Sequence, residues 1–172
     1  MYLSYPNDPN DWGGPGLHAR LWDAKNRDLS LRSIEIDDVM SFQGSAWFMP
    51  RAHFKRMELM ENDRYGSFLN EPQEIGLKTW LSGGRVVVNK KTWYAHLHKG
   101  KKYGRGYYME EKMLKFGQMA TKKWLTNEAW DKTIYPFEWF IEKFWPVPDW
   151  PEDPKLWTQV PGYNCELQTS VR

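Results

Sequence analysis

The sequence predicts an α/β domain, a small mixed sheet flanked by helices with a helical extension behind it. Three observations lead there. Short β-branched or alternating runs at 45–49, 85–88 and 92–97 have the length and period of strands. Two stripes repeat every 3.6 residues, one through Met113, Phe116, Gly117, Ala120 and Trp124, the other through Phe137, Phe140, Ile141, Phe144 and Trp145. Between the strand runs, Ser82-Gly83-Gly84 interrupts an apolar helical pattern and hands the chain to a β-branched run.

Residues 1–33 form an arm that Pro6, Pro9, Gly13, Gly14, Pro15 and Gly16 keep irregular. Its apolar residues, Tyr2, Tyr5, Trp12, Leu17, Leu21 and Trp22, predict that it packs on the domain. Glu35, Asp37 and Asp38 form an acidic cluster suited to capping or loop structure. A first strand covers 45–49. After Pro50 a helix near 51–60 turns Phe54 and Met57 inward, and leaves His53 a structural or solvated residue. The next helix spans 72–82. Pro72 suits its first turn, Glu71 and Glu74 favour its positive end, and Leu77, Trp80 and Leu81 give it a buried face. Residues 85–88 read as a buried strand. A turn at Asn89-Lys90-Lys91 leads to a third strand at 92–97, with Thr92, Tyr94, His96 and His98 on one face and Trp93, Ala95 and Leu97 on the other. The expected sheet requires these three strands to pair with one another. Helices near 109–125 and 136–145 follow, the second bounded by Pro136 and Pro146. The proline-rich stretch from 146 to 161 is expected to wrap the surface without regular structure.

Composition bounds the reading. One domain over 1–172 is long enough to bury a core, and no internal repeat or linker divides it. A net charge of +2 is too small to argue for nucleic acid. The 11 tryptophans belong first to the core, and only then to surfaces that stack on sugars or bases. The single Cys165 excludes an intrachain disulfide and a cysteine-based zinc site. No run of apolar residues is long enough to span a membrane, and a cytoplasmic setting is expected.

Residues 34–105 carry a resemblance. The order is acids, helix, Trp80-Leu81-Ser82-Gly83-Gly84, strand, and then a strand ending in histidine. Upstream lies Gln43-Gly44-Ser45-Ala46-Trp47-Phe48-Met49-Pro50-Arg51. This resembles the second half of a family 2 glycosyltransferase of GT-A type, of the kind found in phages and bacteria. The polypeptide N-acetylgalactosaminyltransferases share a similar pattern. The resemblance implies a partial GT-A-like fold and transfer of a sugar from a nucleotide-sugar donor to a glycan or other hydroxyl acceptor. It implies Glu71 or Glu74 as the catalytic carboxylate, and which one stays open, because many members have Glu-Asp where this chain has Glu71-Pro72. It implies a divalent metal, manganese or magnesium, held by His96 or, failing that, His98. Gln43, Gly44 and Trp47 would then meet substrate. Lys99, Lys101, Lys102, Tyr103 and Arg105 lie in a Gly-, Tyr- and Lys-rich stretch that is either a solvated basic loop or a lid over the donor diphosphate. The triplet Glu35-Ile36-Asp37 has the shape of a metal-binding Asp-x-Asp, but in the resembled family that motif lies upstream, after a nucleotide-binding strand.

That chemistry needs the acceptor hydroxyl deprotonated or positioned and the leaving diphosphate stabilised. Plainer roles compete for the same residues. Glu74 and Lys78 are an i, i+4 pair, and acids favour a helix's first turn for dipole reasons alone. Nothing before residue 34 reads as the donor-binding half of such an enzyme, so a fragment, or one chain of a split enzyme with a donor-half partner, is expected. The alternatives are a nucleic-acid- or glycan-binding module built on the basic stretch, and a non-catalytic subunit that completes a partner's fold.

Overall fold

A computed structural model describes residues 1–8, 15–66, 70–97 and 110–159. Its strands are β1 (Tyr2–Leu3), β2 (Ala19–Arg20), β3 (Ile36–Asp38) and β4 (Val87–Asn89). Its helices are α1 (Asp23–Arg27), α2 (Arg51–Arg56), α3 (Asn62–Tyr65), α4 (Glu71–Leu81), α5 (Glu111–Leu125) and α6 (Phe137–Phe144), with short 3-10 turns at Ser30–Ser33 and Pro154–Leu156. The class is α/β, as the sequence predicts. The sheet is not the predicted one.

β4 pairs antiparallel with β3, in the register Ile36↔Asn89, Asp37↔Val88 and Asp38↔Val87. Neither 45–49 nor 92–97 is a strand, so the three expected strands do not pair with one another. Charge supplies a physical reason for the actual partner. Asp38 meets Arg85 at 2.7 Å, Asp37 meets Lys90 at 2.8 Å, and Glu35 meets Lys91 at 2.7 Å. Three acid–base pairs across one ladder favour this register over a slipped one. The acidic cluster read as capping or loop structure is therefore a strand and its flank. The 85–88 run is not buried either: Val86 is half-buried, while Val87 and Val88 are 43% and 38% exposed. Beyond the turn at Lys90 and Lys91 both faces of 92–97 are open, with Trp93 85% exposed, and among the described residues no strand pairs with this stretch.

The helices fare better. Pro72 sits in the first turn of α4, and just past its end Gly83 takes a φ of +82°, the left-handed conformation glycine permits; its N–H donates to the carbonyl of Trp80 at 3.0 Å. Every residue of α4 from Pro72 to Leu81 is buried. α5 packs on α3 and α6, and α6 on α4. On the predicted stripes Gly117, Ala120 and Trp124 of α5 and Phe137, Phe140, Ile141 and Phe144 of α6 are buried, while Met113 and Phe116 are half-buried and Trp145 lies outside the helix. The Trp80 ring meets Phe144 edge-on with centroids 5.3 Å apart, a favoured aromatic geometry. The helix expected over 51–60 stops at Arg56, since Glu58 and Met60 take positive φ and the chain turns into α3.

The described part of the arm is partly regular. β1 and β2 pair antiparallel and bury Leu3, with Leu17 and Trp22 flanking the ribbon. The tail holds the arm in place: Trp150 donates its indole N–H to the Leu3 carbonyl at 2.7 Å, and the Tyr2 hydroxyl donates to Asp149 at 2.5 Å. Expected to wrap the surface, the tail instead sends Val147, Trp150 and Trp157 into the core.

Candidate functional site

The two candidate carboxylates on α4 face different surroundings. Glu74 is 2% exposed and meets the Lys78 ammonium at 3.0 Å. Lys78 is fully buried, donates also to the Glu58 carbonyl at 2.7 Å and to Glu61 at 3.0 Å, and lies 4.4 Å from the Tyr65 ring centre. A carboxylate so engaged is structural. The i, i+4 pair accounts for the burial of Glu74 without a catalytic role.

Glu71 is half-buried, and its Oε2 is shielded from solvent with no hydrogen-bond partner. Burial, and to a smaller extent the charge of Glu74, raises its carboxyl above the ordinary range, against a lowering contribution from its own amide. The loop carrying Gln43 and Gly44 lies directly on this carboxylate. A methyl placed on Gly44 would come within 3.3 Å of Glu71 Oε2, so glycine lets the backbone approach the acid. The Tyr94 hydroxyl donates to Gln43 Oε1 at 3.2 Å and lies 2.6 Å from Ser45 Oγ. With the phenolic proton on Gln43, Ser45 is the donor to Tyr94. The structure thus brings Gln43, Gly44, Ser45, Glu71 and Tyr94 into one cluster, in which two hydroxyls, an amide and a carboxylate border the 43–45 turn.

Trp47 is half-buried and stacks on Phe54, with ring centroids 6.5 Å apart and planes 13° from parallel. It lines a cleft of about 620 Å3 that Phe48 and Met49 border along one stretch, Arg85 to Val87 along another, and His53, Arg56 and Thr79 elsewhere. His53 is half-buried and held by its neighbours, in keeping with a structural residue. Arg56 lies 3.1 Å from its Nδ1, and arginine can only donate, so Nδ1 accepts and the proton sits on Nε2, facing Thr79 Oγ1 at 3.0 Å. Burial first and the Arg56 charge second lower the His53 pKa, in keeping with this neutral ring.

His96 is exposed on 92–97, two residues beyond Tyr94 and so within about 7 Å of it along the backbone. His98, Lys99, Lys101, Lys102, Tyr103 and Arg105 lie outside the described residues. Among the described residues no three His, Cys, Asp or Glu side chains are grouped to hold a metal ion. They therefore do not by themselves build the metal site that the resemblance implies. Sequence reading missed Tyr94 and Ser45 as site residues. The signal was there for Tyr94, which shares the alternation of Thr92 and His96, but it was weighted to the histidines.

Comparison of the chain with protein-family models, with curated proteins and with solved structures finds no match. Among the described residues no helix is long and apolar enough to cross a membrane.

Proposed function

We propose that the chain is a glycosyltransferase-like protein in which Glu71 is the carboxylate that receives the proton of an acceptor hydroxyl. The observation that carries this reading is the shielded, unpartnered Oε2 of Glu71 beside the glycine turn at Gly44. A carboxyl raised by burial is better matched to taking and returning a proton near neutrality than an ordinary one. Ser45 and Tyr94 offer hydroxyls, and Gln43 an amide, with which a sugar hydroxyl can exchange hydrogen bonds. In the reaction the acceptor oxygen loses its proton to Glu71 as it bonds the donor's anomeric carbon. The bond from that carbon to the diphosphate oxygen breaks, and the nucleoside diphosphate leaves with the electron pair. The basic stretch from Lys99 to Arg105 would meet that diphosphate, and a divalent manganese or magnesium would neutralise part of its charge. A nucleotide sugar and a hydroxyl acceptor are the partners this reading requires.

A second reading, a non-catalytic subunit that completes a partner's fold, is favoured by the open apolar residues around β4, with Phe48 fully exposed and Ile36 49% exposed. Release of uridine diphosphate from uridine-diphosphate sugars, measured with manganese present and with it chelated, separates the two. The transferase reading expects metal-dependent release that Glu71→Gln lowers by about 10²–10⁴-fold, with donor binding little changed. Release that is undiminished in Glu71→Gln, or no binding of the donor at all, would falsify it.

A further inference from the structure

Val87, at the start of β4, and the stretch at 47–49 line the same cleft, and among the described residues neither the outer edge of β4 nor 47–49 has its backbone paired. In the β3–β4 ladder the Lys90 N–H donates to the Glu35 carbonyl at 2.8 Å and the Val39 N–H to the Val86 carbonyl at 3.0 Å. Antiparallel pairs alternate, so Val88, opposite Asp37, turns its backbone groups to β3, while Val87 and Asn89 turn theirs outward. Trp47, Phe48 and Met49 make no backbone hydrogen bond with any described residue. An open strand edge is a template for another strand.

The cleft's chemistry narrows what would fit. Phe48 is fully exposed and Val87 43% exposed, a pair of apolar contacts for alternate side chains of an incoming strand. The neighbouring helix α2 carries Arg51, Lys55 and Arg56 and no acid. Arg51 and Lys55 have no carboxylate partner among the described residues, and Arg56 meets only His53. Arg85, by contrast, is neutralised by Asp38. The uncompensated charge is positive: Arg56 lines the cleft, and Arg51 and Lys55 lie on the same helix. A second copy docked through the same rim about a twofold axis would bring these cations to face their own kind.

We propose that the cleft is a strand-addition site for an extended segment of a partner polypeptide, one that alternates apolar and acidic side chains. Its backbone pairs with the outward N–H and C=O groups of Val87 and Asn89, its apolar side chains cover Phe48 and Val87, and its acids meet α2. The site does not involve Glu71, so it holds whether or not the transferase reading does.

The probe is a short blocked peptide alternating glutamate and valine, titrated into the full chain while amide exchange at Val87 and Asn89 is followed by NMR. Saturable binding is expected, with slowed exchange at those two amides. The same peptide N-methylated at alternate residues should bind roughly tenfold more weakly or worse, the loss expected for two backbone hydrogen bonds. A lysine-for-glutamate peptide should bind more weakly to the native chain, and more tightly to the Arg51→Glu, Lys55→Glu variant. Val87→Pro, which removes an N–H that β3 does not use, should abolish binding with the helical circular-dichroism signal retained; if this variant fails to fold, the N-methylated peptide answers the same question. Several results would overturn the proposal: no binding at millimolar peptide, equal binding of the N-methylated form, self-association through β4 in sedimentation, or protection of the same amides by a single-stranded oligonucleotide but not by the peptide.

Discussion

Helix α4 and strand β4 are separated by little more than a pair of glycines, yet from Pro72 to Leu81 the helix is buried on every side while all of β4 is exposed. Both stretches are apolar in sequence. The difference is what lies around them. α4 has α6 to cover its apolar residues, and for its one cation a cage made by Glu74, Glu61 and the Glu58 carbonyl. β4 has β3 on one edge and, among the described residues, no strand on the other. A two-stranded ribbon is barely stable alone, and here the ion pairs to Arg85, Lys90 and Lys91 supplement its backbone bonds. Apolar character therefore marks a residue as needing cover, and a single chain need not provide all of it.

The sharpest way to break this contrast is to open the cage in α4. Lys78→Met leaves Glu74 buried without its cation, and urea unfolding should show a loss of about 3–5 kcal/mol. Adding Glu74→Leu should recover most of that loss, since an apolar pair replaces a buried ionic one at little cost. A loss below about 1 kcal/mol for Lys78→Met alone would mean that the pair is solvated and that α4 is not the packed region described here.

A smaller effect is expected at Glu71, on the border between the two regions. Its folded pKa lies above the unfolded value near 4.5, so the group favours the folded state in its protonated form. That contribution is complete below pH 4.5 and is lost as pH rises through the raised folded value. Glu71→Gln, which cannot ionise, should therefore raise the melting temperature at pH 7 relative to the native chain and change it little at pH 4. A melting temperature lowered at pH 7 would show that the charged carboxylate is stabilised by a partner, contrary to its shielded Oε2.

The smallest effect belongs to the open rim. Phe48→Ser should change stability by less than about 0.5 kcal/mol, because the ring is fully exposed and folding removes none of it from water. The same experiment on Phe140→Ala, in the packed region, should cost about 3–5 kcal/mol. If Phe48→Ser proved as costly as that, the rim would be covered in solution and the comparison would collapse.

Much of the fold was legible in the residues. The α5 and α6 stripes bury where their period puts them, because a helix face repeats at a fixed angle whatever its neighbours do. Gly83 ends α4 because left-handed backbone is a local property. The Glu71–Gly44 contact was half legible: the sequence singled out both residues, but not that they touch, since 27 positions separate them and no local rule joins a turn to a helix start. Assigning Glu74 needed burial, which decides whether an i, i+4 acid and lysine form a solvated pair or a core ion pair.

What the sequence alone determined is helices α4, α5 and α6, with their inward faces and their stops, along with the residue types available for chemistry. These rest on backbone preference and on periods that the chain carries within itself. The tertiary structure decided which strand β4 would find, which carboxylate would be caged and which left shielded and unpaired, and which apolar residues would remain at the surface. Strand pairing and burial depend on residues far apart in the chain, and a period of two reads the same on a covered strand as on an open one.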